Sequence, residues 1–390
     1  MEEGLPMPWL ESSAMDDRVR FVAEWLSGDV SKTELCAAYG ISRQVGYKWL
    51  ARYEAEGPAG LVDRSRAPHV HGRAVGEELV DKIVALRRAR PTWGPRKIIA
   101  KLEQQHPDLV WPAHSTAHEI LKREGLVSAR RLRRRAPVRP GALTIAQAPN
   151  HVWAVDHKGW ITLGNRTRCE PLTLADTYSR FLLAISAGSG TGQVLTRPVM
   201  ERAFETYGLP LVIRSDNGSP FATASTTGLS ALSVWWIKLG IHPERILPGR
   251  PQENGRLERF HRTLLEAMRP PCANADAQAR RFDAFRHDYN HNRPHQALGQ
   301  IAPASFYTSS PRQMPRRLPE PDYPSSHAIR KVRSNGEIKL GGNLVHISSA
   351  LAGEPVAIEQ IEQGWRVWFY KEPIGVIDRH GKKLSAIQPG

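Results

Sequence analysis

Apolar positions along this chain change their spacing from stretch to stretch, and each spacing predicts a different element. Between residue 16 and about 57, Val19, Val22, Trp25 and Leu26 recur at helical intervals and predict a first helix. A short second helix covers 31–39 and ends at Gly40. Ser42 is placed to cap a third, in which Val45 and Trp49 stand four apart on one face. This leaves Arg43, Gln44, Tyr47 and Lys48 pointing outward, with Gly40 in the turn: a helix-turn-helix pattern. A second helical region runs over 75–127, with Leu79, Ile83 and Leu86 as its first apolar stripe. Pro95 opens a further helix after the turn at 90–94, and Ser115 is placed to cap another that carries Ile120 and Leu121 to Gly125.

From residue 150 the pattern alternates short apolar runs with helical stretches. Strands are predicted at 152–155, 172–176, 181–185 and 211–215, and helices at 194–207, 231–239 and 253–268, which is an α/β pattern. Beyond 327 the periodicity becomes that of strands alone, at 337–340, 344–347, 356–359, 366–370 and 374–377, with Gly336, Gly341, Gly342 and Gly364 in the turns. A small all-β barrel or sandwich is expected there, the barrel being preferred. The expectation is a multidomain chain: helix-turn-helix modules over 1–62 and 63–129, the second winged-helix-like, an Arg-rich linker over 130–149, an α/β core over 150–310, and the barrel over 327–390.

Composition narrows the partners. The 390 residues carry 54 Lys and Arg against 39 Asp and Glu, a formal charge of +15, and neutralising phosphates with release of counterions rewards such a surplus. DNA is the expected ligand of Arg43, Gln44, Tyr47 and Lys48, the alternative being a three-helix scaffold that touches no DNA. Arg130, Arg131, Arg133, Arg134 and Arg135 crowd the linker, where a phosphate backbone would relieve a repulsion that a merely solvated run would keep. Cys36, Cys169 and Cys272 are odd in number and far apart, which fits reduced thiols rather than a disulfide framework. His114 and His118 stand at a zinc-compatible spacing, but no cysteine pair follows them. The first residues hold no continuous apolar run, so neither a signal peptide nor a membrane span is expected, and a cytoplasmic, nucleoid-associated location follows.

The candidate chemistry lies in carboxylates at the ends of elements. Asp156 closes one apolar strand, and Asp216 closes another before the turn Asn217-Gly218. Glu258 lies on the polar face of a helix that buries Leu257, Phe260 and Leu264. Hard divalent cations favour such oxygen ligands, and two ions shared by Asp and Glu can activate a nucleophile and stabilise a leaving oxygen at phosphorus. Arg262 stands one turn beyond Glu258, where a guanidinium can grip a phosphate, and His261 adjoins the same face.

The segments Val152-Trp153-Ala154-Val155-Asp156, Ser215-Asp216-Asn217-Gly218 and Pro251-Gln252-Glu253-Asn254-Gly255-Arg256-Leu257-Glu258-Arg259-Phe260-His261-Arg262 resemble, in order and spacing, the three catalytic blocks of bacterial insertion-sequence transposases, relatives of retroviral integrases in the DDE superfamily. The resemblance extends to Asp176-Thr177-Tyr178-Ser179-Arg180, to Tyr289-Asn290-His291-Asn292-Arg293-Pro294-His295 and to the N-terminal modules. It implies an RNase H-like core, a Mg-dependent polynucleotidyl transferase and endonuclease in which Asp156, Asp216 and Glu258 bind two magnesium ions, with manganese able to substitute, while Arg259 and Arg262 meet DNA. Water would cut the strand at a transposon end, and the freed 3′-hydroxyl would attack target DNA. Concerted cutting of two ends implies at least a homodimer on double-stranded DNA.

The chain departs from the family pattern in several places. The interval from Asp216 to Glu258 is longer than the compact integrase spacing, with 222–233 expected as an extra loop. Glu253 lies nearer that spacing but falls in the turn, so Glu258 is the preferred third ligand. Arg250 stands where similar transposases often carry histidine, and His157 follows the first aspartate. Asp176 matches a structural block rather than a ligand, and His287, His291 and His295 read as a packed or DNA-facing segment, with Asn292 and Pro294 ending the helix before the third. A non-catalytic DNA-binding regulator would need none of the three carboxylates. A junction resolvase would share the two-metal chemistry but usually lacks tandem helix-turn-helix modules.

Overall fold

Serine side chains start each of the first three helices. In the computed structural model Ser13 and Ser31 form reciprocal capping boxes with Asp16 and Glu34 ahead of α1 (Ala14–Ser27) and α2 (Lys32–Ala38), and Ser42 accepts from the Val45 amide ahead of α3 (Arg43–Glu56). The structure describes residues 13–64, 75–127, 143–247 and 255–386, apart from the side chain of Arg256. Residues 130–142 of the Arg-rich linker, with all of its arginines, Arg250 and Glu253 lie outside the described residues. The chain divides into two units, residues 1–74 and 75–390.

In the first unit Phe21, Val22, Leu35, Cys36, Trp49 and Leu50 close a small core with Leu61. Gly40 takes the turn with φ of 61°, as its position predicts. The buried faces differ from the expected stripes, since Val19, Leu26 and Val45 remain 47%, 57% and 39% exposed. Gly46 replaces Val45 at the inner face because α2 and α3 approach so closely that a Cβ at Gly46 would lie 2.2 Å from Cys36 Sγ. Arg18 locks the unit, donating to Leu61 O and Asp63 while its guanidinium lies 3.9 Å from the Trp49 ring centre.

In the second unit α4 (Glu77–Ala89), α5 (Pro95–Gln105) and α6 (His114–Arg123) enclose Ile83, Trp93, Ile98, Leu102, Ala117 and Leu121. Pro95 does open α5, whereas Ser115 sits inside α6, whose N-cap is Ala113. The core sheet contains β1 (Val152–His157), β4 (Leu172–Asp176), β5 (Leu182–Ser186), β6 (Val212–Ser215) and β7 (His242–Arg245). A hairpin, β2 (Ile161–Thr162) and β3 (Arg168–Cys169), interrupts the chain after β1. The order is β5-β4-β1-β6-β7, antiparallel on the β4–β5 side of β1 and parallel on the β6–β7 side. One face packs on α7 (Gln193–Tyr207) and α8 (Ala231–Lys238), the other on α9 (Gly255–Met268) and α10 (Ala275–His291). The loop expected over 222–233 stops at Ser230, which caps α8 with Ser233. Asn290 of α10 covers the sheet edge, accepting from the Leu182 amide at 2.8 Å and donating to the Leu182 carbonyl at 2.9 Å. Arg90, following α4, forks onto Asp288 of α10 at 2.8 and 2.6 Å, which fixes the α4–α6 module on the sheet domain.

The C-terminal strands do not form the expected barrel. β8 (Ala328–Lys331), β11 (Pro355–Ile361), β12 (Gly364–Phe369), β13 (Glu372–Asp378) and β14 (Leu384–Ser385) make an open sheet in the order β14-β13-β12-β11-β8, while β9 (Glu337–Leu340) and β10 (Asn343–His346) pair separately. The outer strands are too short to close it: β14 has two residues, and β8 has four, all exposed. A helix completes the layer instead. Leu229, Val234 and Ile237 join the apolar core of these strands, while Leu232, Trp235 and Trp236 of the same segment enter the core sheet. Lys238 reinforces the junction with an ion pair to Glu354 at 2.7 Å. Among the described residues no helix is long and apolar enough to cross a membrane.

Candidate active site

Alternation along β1 decides where its carboxylate looks. Trp153 and Val155 enter the core beneath α7 and α8, so Ala154 and Asp156 face the layer that contains α9. β6 runs parallel beside β1 with Ala154 opposite Arg214, so Asp216 leaves the sheet level with Asp156. Its carboxylate accepts from the Gly218 amide at 3.2 Å, and Asn217 ties the turn to Ile246 O at 2.6 Å. On α9, Leu257, Phe260 and Leu264 are buried, while Glu258, Arg259 and Arg262 are exposed.

These placements bear on one another electrostatically. Burial pushes the Asp156 carboxyl up to about 7, and the negative charges of Asp216 and then Glu258 push the same way against the His157 amide and Lys158. The three positions thus share one field, with Asp216 the stronger neighbour. Among the described residues no group of three or more His, Cys, Asp or Glu lies close enough to hold one metal ion in the present arrangement. The donors are nonetheless of the right kind: hard oxygens, one of them buried and opposed by two like charges that a divalent cation would offset.

Directly across the β1–β4 ladder from Asp156 stands Thr173. Its hydroxyl donates to Asp156 O at 3.0 Å and meets His261 Nε2 at 2.8 Å, while His261 Nδ1 lies 3.7 Å from Asp156 Oδ2. Burial, with Lys158 and His157 nearby, pulls the His261 imidazole down to about 4, so the ring is neutral at physiological pH. His157 packs on Phe221 on the opposite face with the rings tilted, and neither of its ring nitrogens has a hydrogen-bond partner among the described residues.

The other positions singled out in the sequence fall elsewhere. Arg43, Gln44, Tyr47 and Lys48 are exposed on α3 of the first unit. Asp176 is buried at the end of β4, where it accepts from the Asn150 amide and from the Ser179 amide and hydroxyl. His287 and His291 lie against each other on α10 with their rings tilted, the helix ends at His291 with Asn292 as its C-cap, and His295 packs on Tyr289.

Comparisons with known proteins follow this architecture. A family model described as "Helix-turn-helix domain" matches residues 17–69, and one described as "Homeodomain-like domain" matches 45–121. Two models described as "Integrase core domain" match 146–251 and 239–303, and "IS481 family transposase, C-terminal domain" matches 327–385. The chain belongs to the insertion-sequence transposases with an integrase core. An uncharacterized 31.7 kDa protein of insertion element IS407 from Burkholderia multivorans is 29% identical over 240 residues, 59% of this transposase and 80% of the relative. A 39.2 kDa protein of element IS476 from Xanthomonas euvesicatoria is 27% identical over 237 residues, 59% of this chain but only 64% of that protein. Among solved structures, the HTLV-2 integrase catalytic core domain in complex with magnesium aligns with 42% of this transposase and 99% of its own chain, at 16% identity and a TM-score of 0.31.

Two features of the transposase site escaped the sequence. Thr173 is polar within the apolar strand Leu172-Thr173-Leu174-Ala175, and that interruption was the available signal. β7 was missed because His242-Pro243-Glu244-Arg245 has no apolar alternation. It owes its place to β6 and to the Arg214–Glu244 pair at 2.7 Å, whose side chains are each 10% exposed.

Proposed function

We propose that this chain binds the ends of a mobile element, cuts them and joins the 3′-hydroxyl ends to target DNA, with Asp156, Asp216 and Glu258 as the ligands of two magnesium ions that manganese can replace. The observation that carries the reading is the register of parallel β1 and β6, which sets Asp156 and Asp216 level at the strand ends, and the charge of Glu258 on α9 acts on the same Asp156 carboxyl. Such ions, when bound, lower the cost of the negative charge that builds up on the attacking and leaving oxygens.

The rest of the chemistry belongs to the chain and the DNA. In the first step water attacks phosphorus at the element end, one P–O bond forms as one breaks, and a 3′-hydroxyl is released. In the second that hydroxyl attacks a target phosphodiester, again one bond for one, so no nucleotide energy source enters. Arg259 and Arg262, exposed on the helix that carries Glu258, are suited to holding the cut strand by its phosphates. Arg43, Gln44, Tyr47 and Lys48 are suited to base edges and backbone in a major groove, with Arg130, Arg131, Arg133, Arg134 and Arg135 following the phosphates between the helical modules (1–62 and 63–129) and the core (150–310). Cutting two ends in concert calls for at least two subunits on the DNA, at the nucleoid.

The test is strand transfer by the full-length protein on a labelled duplex ending in the terminal repeat that flanks its gene, in magnesium. Wild type should join ends, while Asp156→Asn, Asp216→Asn and Glu258→Gln should bind the duplex and join none. Binding without joining by wild type would make the protein a regulator, and loss of joining in Glu253→Gln but not Glu258→Gln would change the third ligand.

A further inference from the structure

We infer that His261 is a positioning residue for the carboxylate site, holding α9 on the β1–β4 pair through the contact of its Nε2 with Thr173, with Nδ1 turned toward Asp156. The inference rests on the proposal that Asp156 and Glu258 serve one metal site. Its geometry begins with a single proton. The Thr173 hydroxyl has one, and donates it to the Asp156 carbonyl at 3.0 Å. The 2.8 Å contact between that hydroxyl and His261 Nε2 must then be an N–H donated by the histidine. His261 Nδ1 faces Asp156 Oδ2 at 3.7 Å, a distance beyond a hydrogen bond.

Two consequences follow. First, with Nε2 held by Thr173 the orientation of the ring toward Asp156 is fixed, much as outer hydrogen bonds fix the orientation of metal-binding side chains. Second, His261 lies three residues beyond Glu258, one helical turn along α9. Anchoring His261, which is 6% exposed, to the strand pair therefore fixes the turn that carries the exposed Glu258. Thr173 sits opposite Asp156 in the ladder, so one hydroxyl references both carboxylate-bearing elements.

The experiment uses the full-length protein. Imidazole nitrogen NMR of histidine-labelled protein in EDTA should find the His261 proton on Nε2, and Mn2+ binding followed by electron paramagnetic resonance measures the site without turnover. Thr173→Val and His261→Leu should each weaken Mn2+ binding by about 10-fold, in the range for outer partners of metal ligands. The double variant should be no weaker than the weaker single, because both remove one interaction. His261→Gln, whose amide nitrogen can stand where Nε2 stood, should restore binding to within about three-fold of wild type. Should His261→Leu fail to fold in EDTA, the comparison of Thr173→Val with His261→Gln still decides. An Nε2 without a proton, multiplying single effects, or unaltered Mn2+ affinity in Thr173→Val would overturn this inference alone. Equal Mn2+ binding by Asp156→Asn and wild type would overturn the metal reading, and this inference with it.

Discussion

Asp156→Asn should make the metal-free protein more stable while abolishing strand transfer. Moving a carboxyl from its ordinary value of 3.8 to about 7 means that the folded state holds the proton across that interval and the unfolded state does not. Stability therefore falls as pH rises from 3.8 toward 7, and above 7 the full penalty is present. At about 1.4 kcal/mol per pH unit the penalty is about 4 kcal/mol at pH 8 and about 1 kcal/mol at pH 4.5. The asparagine keeps an acceptor for the His157 amide but has no charge to bury or to set against Asp216 and Glu258. Urea unfolding of the second unit in EDTA at the two pH values gives the assay. The variant should gain up to about 4 kcal/mol over wild type at pH 8 and about 1 kcal/mol at pH 4.5. A loss of stability at pH 8, or a gain independent of pH, would refute the view that these carboxylates strain the fold.

Two further outcomes test the packing. Asn290→Leu should destabilise the second unit by about 2–5 kcal/mol, because the buried Leu182 amide and carbonyl both lose their partner, and hydrogen exchange at the Leu182 amide should accelerate; unchanged exchange would mean that the edge is covered by something else. Gly46→Ala gains about 1 kcal/mol of helix propensity but forces a Cβ to 2.2 Å from Cys36 Sγ, so a net loss of about 1–2 kcal/mol is expected in denaturant unfolding of the first unit. In a Cys36→Ala background the same change should stabilise, and destabilisation there would show that Cys36 is not the obstacle.

How far the sequence could be read depended on what holds each element. β1 and β6 were legible because a run of apolar residues ending in a carboxylate has few other uses, and Ser42, Gly40 and Pro95 sit where backbone geometry demands them. Val19, Leu26 and Val45 repeat at helical spacing yet stay exposed, since spacing identifies a helix but not which of its neighbours arrives. β7 and β8 were invisible for a related reason: neither alternates apolar with polar residues, and only pairing with β6 and β11 makes them strands. The expected barrel gave way to an open sheet because strand counts carry no information about edges. The carboxylates stood out at the ends of apolar runs and on the polar face of a helix, and the resemblance to family motifs joined them into one proposed set. His261 was visible in those motifs only as a neighbour, because the partner that gives it a task, Thr173, lies across a strand ladder that no spacing rule reaches.

One helix, α8, is shared by two apolar cores, and this bears on how a gene of this kind decays. A stop codon ahead of β8 would remove the strands that cover Leu229, Val234 and Ile237 while leaving Trp235 and Trp236 in the sheet that carries Asp156. The shortened product would expose a greasy seam on the sheet domain itself, a state prone to aggregation and proteolysis. A truncated copy should thus fall silent rather than persist as a binding-competent fragment that poisons its intact siblings.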